Sequence, residues 1–524
     1  MGLLSKVNDI ITMSKRSLFQ PYYIFQCLLM VFVGAVLSCK SPQKENSGIF
    51  GSDSISFSRI IDISKLGRPF PNLTGYRNTS LQKASAPVLG EFSSGILGKA
   101  SITRFWLNLD EMWDYRTEEY VFDFRIGNDK YKDVKEKWRE TWDSEEATNV
   151  TYYQYLNGYS SYSDEIMLTI RRYERDVLDG KLPISKKKWK DVFKTGLKHY
   201  KQKFPNIRYV EVGNEYALKG FMNGTPEEYY TFYQLGYQAV NEINDELNLS
   251  DDEKILVGGP VVTGDILKKI DLFLNLYKND PSSNKRVDFL SWHEYDKKNH
   301  QTANRQNEII DLMVKYGLST ELPLFITEHN PFHLKEDKYE YHMMNAAHLP
   351  RSLYYTDLNS PNIKIFPWVQ YHNEKIQTKF MWFRGPNEPT TKAEEIQILP
   401  LGRSMQFLSM HEEKEVEVKN DIEGDDLVLA SVHKNSVVVE AINYEGVRKG
   451  EIRLVGIDKE YKKANVKSYL IDNENNNCLT NPECSNSLQL HANETYELID
   501  SRIHLEIDEL SQNGIVLWQI ELLK

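Results

Sequence analysis

Short apolar runs alternate with longer amphipathic stretches from about Ala84 to Pro400, and this alternation limits the fold more than any other feature. Strand-like runs are Ser101–Leu107, Asn149–Leu156, Arg208–Asn214, Lys254–Val262, Val287–Trp292, Leu322–Thr327 and Ile363–Val369. Helical patterns lie between them. Lys186–Phe204 carries Trp189, Val192, Phe193, Leu197 and Tyr200 on one stripe. Pro226–Leu247 opens with Thr225 as N-cap and Pro226 at the first helical position. Such alternation over roughly 250 residues or more predicts a (β/α)₈ barrel rather than an open sheet. One further strand is expected near the start, at Asn72–Arg77 or at Val88–Phe92.

From about Gly402 the period changes. Glu415–Lys419, Asp426–His433, Ser436–Asn443, Glu451–Leu454, Val466–Leu470 and Gly514–Leu522 read as strands between Gly, Asn and Asp turns, with no helix of length. The expectation is a barrel over 55–400 and a β-sandwich over 401–524, which a strand near Ile55 joins.

The first residues read as an address rather than as fold. Tyr22–Ser38 is apolar, follows Lys15 and Arg16, and ends at Cys39. Val36-Leu37-Ser38-Cys39 resembles the lipobox of bacterial lipoproteins, which implies cleavage before Cys39, its lipidation and a membrane anchor. Residues 1–39 are then the signal and 40–54 a polar tether. A plain signal peptide or an uncleaved anchor is the alternative; the apolar run is short for a spanning helix. Lys40 after the Cys favours the outer membrane over the inner.

The chain has 524 residues and a net charge of −11, without a sustained basic stretch, which argues against nucleic acid as a partner. Its 31 Tyr and 9 Trp fit an aromatic core at least as well as sugar-stacking surfaces. Of four Cys, Cys27 and Cys39 fall in the signal, leaving Cys478 and Cys484 around a turn-rich segment. A disulfide is expected in an exported protein, with two free thiols as the alternative.

Glu215 and Glu328 each end an apolar run, more than a hundred residues apart. A carboxylate at the end of a buried strand is costly without a task or a partner. Two carboxyls on barrel strand ends are what glycosidic cleavage needs, one protonated to give its proton to the leaving oxygen, the other ionised to attack the anomeric carbon.

Asn214-Glu215 and Ile326-Thr327-Glu328 resemble clan A of the glycoside hydrolases. Further strings sharpen the resemblance to glycoside hydrolase family 39, which holds β-xylosidases and α-L-iduronidases. They are Ile102-Thr103-Arg104-Phe105, Val257-Gly258-Gly259-Pro260, Asp288 to Tyr295, and Phe325 to Asn330. The resemblance spans roughly Ala100 to Leu408. It implies Glu215 as acid/base, Glu328 as nucleophile and Asn214 as partner of the sugar 2-hydroxyl. It further implies Arg104 holding Glu328 ionised, His293 and Tyr295 lining the sugar subsite, and Trp368 as its stacking floor. The structural alternatives are an interior salt bridge for Arg104 and core positions for His293 and Trp368; Tyr371 and His372 are alternative ligand contacts.

Two departures from the family pattern bear on the sugar. Gly213-Asn214-Glu215-Tyr216 stands where Trp-Asn-Glu-Pro is usual, and Trp106 stands where a His is usual. The implied function is a retaining, β-xylosidase-like hydrolase of plant- or algal-type poly- or oligosaccharides. The alternatives are an endo-acting or different-sugar hydrolase of the clan, and a glycan-binding surface lipoprotein without catalysis. No cofactor or metal is expected: no His-Glu-x-x-His occurs, and Pro331 separates His329 from His333.

Overall fold

The structure, a computed structural model, describes residues 55–79, 88–126, 150–295, 299–332, 338–371, 380–385, 392–481, 484 and 486–524. The signal with Cys27 and Cys39, the tether, Asn149, His333 and His372 lie outside the described residues. Among the described residues no helix is long and apolar enough to cross a membrane.

Strands β1 (Ile55–Asp62) and β2 (Leu66–Pro69) precede the barrel. Eight parallel strands follow: β3 (Tyr76–Asn78), β4 (Ala100–Asn108), β5 (Ser163–Arg171), β6 (Ile207–Val212), β7 (Leu256–Val262), β8 (Phe289–Glu294), β9 (Leu324–His329) and β10 (Ile363–Pro367). They pair in sequence order, so each neighbours the next through a helical crossover. The ends of the sheet approach across Tyr76 and Phe366, whose rings meet edge to face at 5.5 Å.

Side-chain alternation builds the interior in layers. One residue from each strand forms an apolar floor: Tyr76, Ile102, Met167, Tyr209, Leu256, Phe289, Phe325 and Phe366. Two residues further along the strands the interior turns polar, with Asn78, Arg104, Thr169, Glu211, Ser291 and Thr327 all buried. Residues of opposite parity, such as Val210, Val212, Leu290 and Ile326, pack outward against the helices. The helix Lys186–Lys203 buries the predicted stripe, and Ser185 caps it by accepting from the Lys188 amide at 3.1 Å.

One expected strand is a helix. Tyr152–Ser160 is helical, opened by a capping box in which Thr151 and Gln154 bond reciprocally. Tyr152, Tyr155, Leu156 and Tyr159 are buried at helical spacing, so the tyrosine-rich run follows the 3.6 period and not the strand period. The third barrel strand is instead Ser163–Arg171. Val88–Phe92 likewise falls at the start of the helix Leu89–Leu97, and the first strand lies at Tyr76–Asn78.

The C-terminal part begins with the helix Pro400–Ser409, whose Pro sits at its first turn, where the sequence reading expected none. After the short hairpin β11 (Phe383–Arg384) and β12 (Gln397–Ile398) come β13 (Lys414–Val416), β14 (Asp426–His433), β15 (Ser436–Asn443), β16 (Arg448–Val455), β17 (Lys463–Ile471), β18 (Ala492–Glu497), β19 (Ile503–Leu510) and β20 (Ile515–Leu523). A seven-stranded sheet, β18-β17-β20-β15-β14-β13-β2, faces a three-stranded one, β1-β16-β19. Val437, Val439, Ile452 and Leu505 are part of the core between them, while Leu429 and Val438 join the barrel's outer core. Both segments before the barrel thus belong to the β-sandwich. Cys478 and Cys484 are paired as a disulfide, with Cα atoms 5.2 Å apart.

Candidate active site

The polar layer rises from Arg104, in the middle of β4, to a cluster at the C-terminal ends of β6, β8 and β9. Arg104 is its centre, and its side chain is fully buried. Its Nε donates to Glu211 Oε2 at 2.7 Å, its Nη1 to Glu328 Oε1 at 3.0 Å, and its Nη2 to Asn214 Oδ1 at 3.0 Å. Burial opposes its charge, but the Glu211 and Glu328 carboxylates more than offset this and hold the guanidinium protonated.

Glu211 was not singled out from the sequence. Its Oε2 also accepts from Thr169 at 2.6 Å and its Oε1 from Thr327 at 2.8 Å. Burial pushes its carboxyl up, yet the Arg104 charge and the Thr169 hydrogen bond lead the effects that outweigh it and hold the carboxyl below its ordinary range. Thr169 is the register partner of Glu211, so strand pairing delivers that contact. The sequence signal was the strand period: Tyr209 and Glu211 share the inward face, between outward Val210 and Val212.

Strand β6 ends at Val212, and Gly213 turns the chain at φ 76°, a left-handed conformation that suits glycine. A Cβ there would also meet the Tyr229 ring at 3.3 Å. Asn214 and Glu215 are thereby presented at the barrel mouth. Glu215 itself sits at φ 42°, anchored by its N–H to Val261 O at 2.9 Å. A non-glycine residue in that region is strain of the kind that gathers at functional sites.

His293 pairs in register with Glu328. Its Nδ1 lies 2.9 Å from Glu215 Oε1 and 3.4 Å from Glu328 Oε2. Tyr295 donates its hydroxyl to Glu328 Oε2 at 2.9 Å. Burial, then the Glu328 and Glu215 carboxylates, push the phenol well above its ordinary range, so it stays a donor. The oxygens of Glu215 and Glu328 and a His293 nitrogen all fall within 4.8 Å of one another, a donor set of a size to hold a cation. Arg104 already places a positive charge on Glu328, and Tyr295 takes its other oxygen. The set therefore suits hydrogen bonding to a polar substrate better than metal ligation.

A model of the glycosyl hydrolases family 39 matches residues 168–444, more than half of the chain. The chain belongs to glycosyl hydrolases family 39. It is therefore a glycoside hydrolase, and the (β/α)₈ fold with a C-terminal β-sandwich is that of the family's enzymes. Among solved structures it is similar to the family 39 enzyme from Xanthomonas axonopodis pv. citri, at TM-score 0.63 and 12% identity over 90% of this chain and 99% of that one. It is also similar to a monomeric β-xylosidase from Caulobacter crescentus CB15, at TM-score 0.60 and 12% identity over 89% and 100%. A bacterial orthologue of human α-L-iduronidase matches at TM-score 0.61 and 14% identity over 88% and 83%. At these identities the likeness is one of fold. No curated protein matches the chain.

The two departures from the family 39 pattern have physical settings. Trp106 is clamped between Arg104, 4.6 Å from its ring, and Arg171, 4.2 Å from it, and donates its indole N–H to Thr79 O at 2.9 Å. Tyr216 is buried and stacks on Tyr229 at 4.7 Å. Trp368 is buried edge-on to Trp106, ring centres 6.3 Å apart. Tyr371 accepts from the Gly385 amide at 3.2 Å. The structure thus gathers Arg104, Asn214, Glu215, His293, Tyr295 and Glu328 into one cluster and sets Trp368 on its rim through Trp106. Cys478 and Cys484 belong elsewhere: Cys478 packs with Met381 and Leu399.

Proposed function

We propose that this enzyme cleaves glycosidic bonds with retention, in plant- or algal-type poly- or oligosaccharides, with β-xylosidase-like specificity. The observation that carries the mechanism is the approach of Glu215 and Glu328, whose oxygens lie within 4.8 Å. Retaining enzymes hold their carboxyls about 5–5.5 Å apart, inverting ones about 6.5–9.5 Å to admit a water.

In this reading Glu215 gives its proton to the leaving oxygen while Glu328 attacks the anomeric carbon. Arg104 and Tyr295 supply one donor to each Glu328 oxygen, which aims the nucleophile. His293 positions the acid/base through the 2.9 Å contact to Glu215. Asn214 Nδ2 is buried with no hydrogen-bond partner among the described residues, and the sugar 2-hydroxyl supplies one. Water then attacks the glycosyl-enzyme, losing its proton to Glu215.

Proton NMR of the first-formed sugar tests the two-step scheme: the retained anomer is expected, and the inverted one sinks it. Glu328→Gln is expected to abolish activity, and azide to restore part of the activity of Glu215→Ala. A screen of aryl glycosides and plant and algal polysaccharides, begun with xylosides, assigns the sugar.

The N-terminal segment supports export and lipid anchoring through Cys39, with the outer membrane as destination. Cys39→Ala is expected to leave the protein soluble or unprocessed. Unchanged membrane fractionation with a cleaved, unlipidated N-terminus refutes the anchor.

A further inference from the structure

A narrow cavity opens beside Asn214, walled by Arg171, Glu174, Gly213, Asn214, Tyr216 and Phe221. Its free volume is about 20 Å³, room for one or two hydroxyl-sized groups. Asn214 Nδ2 and Glu174 Oε1, both on wall residues, have no hydrogen-bond partner among the described residues. Both side chains are more than nine-tenths buried, at 3% and 7% exposure. Unpaired polar atoms so deep in a protein are costly, and polar ligand groups that reach them remove that cost.

The backbone is bent to put Glu174 there. Arg172 and Tyr173, just past the end of β5, both take left-handed conformations, at φ 94° and 68°. Two consecutive non-glycine residues in that region persist only where surrounding contacts impose them. Trp189 donates to Arg172 O at 3.0 Å, and Tyr173 donates to Trp113 O at 2.9 Å. The Arg172 amide then fixes Glu174 Oε2 at 2.8 Å and leaves Oε1 without a partner among the described residues.

We propose that Glu174 is a specificity-determining residue whose Oε1 hydrogen-bonds a sugar hydroxyl, the 3-hydroxyl next to the 2-hydroxyl held by Asn214. This rests on the reading of Asn214 given above. The cavity admits a free hydroxyl and excludes an ester or a branch at that position. Burial pushes the Glu174 carboxyl up to about 8, against the pull of the Glu174 and Arg172 amides and of the arginines. At neutral pH the carboxyl is thus mostly protonated, with a hydrogen to donate from Oε1 and Oε2 kept on the Arg172 amide.

The test compares the full-length wild type with Glu174→Ala, Glu174→Asp and Glu174→Gln. The probes are the 4-nitrophenyl glycoside that the wild type cleaves fastest and its 3-deoxy analogue. Loss of the 3-hydroxyl is expected to lower wild-type kcat/KM by about 100-fold, the order of one buried hydrogen bond. In Glu174→Ala and Glu174→Asp, which withdraw the oxygen, that penalty should fall below about threefold. Glu174→Gln keeps a neutral donor and acceptor and should retain most of it. The aspartate variant decides the matter where the alanine variant does not fold. An equal 3-deoxy penalty in all variants, as a water-filled cavity would give, overturns the proposal. Activity surviving Glu328→Gln instead overturns the catalytic assignment, so the two failures are distinguishable.

Discussion

Arg104 and Glu211 form an ion pair of 2.7 Å in which neither side chain is exposed, and this pair fixes the guanidinium beneath Glu328. A buried pair of this kind is stabilising only when its remaining hydrogen-bonding capacity is used. Here it is: Thr169 and Thr327 bond Glu211, while Glu328 and Asn214 take the other Arg104 nitrogens. The barrel's polar layer is therefore one connected network whose upper end is the proposed nucleophile.

Glu211→Gln keeps the shape of the side chain and removes its charge. Arg104 is then left buried with Glu328 as its one close carboxylate among the described residues. Breaking a buried pair costs about 3–5 kcal/mol. The expected result is a lower unfolding midpoint in denaturant together with a fall in kcat, since Arg104 loses the anchor that aims it. An unchanged midpoint would falsify the structural part of this account.

The barrel and its C-terminal β-sandwich were legible because the periods of the sequence change where the architecture does. Glu215 and Glu328 were legible because a carboxylate after an apolar strand is anomalous, and their neighbours form strings shared with the family. Glu211 stands three positions before Asn214-Glu215 and was passed over. An acid between two valines reads as an ordinary strand residue until the strand period shows that it faces inward. The tyrosine-rich run at 152–160 misled because tyrosine suits strands by propensity, while the Thr151–Gln154 capping box is a local helix signal. Glu174 carried no signal at all: its burial comes from a turn held by Trp189 and Trp113, and both contacts are tertiary.

Tyr295→Phe removes the hydrogen bond to Glu328, while the ring still packs near Phe380. A hydrogen bond to a charged group contributes about 1.5–3 kcal/mol. A fall in kcat of roughly tenfold or more is expected, with KM changed far less, because the bond orients a reacting group. Steady-state kinetics on an aryl glycoside decides it, and equal changes in KM alone would count against an orienting role.

The Cys478–Cys484 disulfide closes a short loop, with a sequence separation of 6. Loop-closure entropy for so short a loop stabilises by about 2 kcal/mol. Reduction should lower the thermal midpoint modestly and leave kcat unchanged, since neither cysteine contacts the Arg104 cluster. Loss of activity on reduction, at a temperature where the protein stays folded, contradicts this.

Glu174 makes a prediction about pH. Burial raises its carboxyl from the ordinary 4.5 to about 8, and the Arg171 and Arg172 charges pull the other way. The folded state thus binds this proton more tightly than the unfolded state does. Stability from this group is fully present below pH 4.5 and is lost as pH rises through about 8. The arginines beside it stay charged across that window, so the slope belongs to the carboxyl. Glu174→Gln cannot ionise and should lose the slope. Thermal midpoints of the two proteins, measured from pH 5 to pH 9, should therefore converge at the acid end. They should separate at the alkaline end, with the wild type the less stable. Parallel curves across the range would mean that the carboxyl titrates alike in the folded and unfolded chains, and that the cavity beside Asn214 is open enough to solvate it.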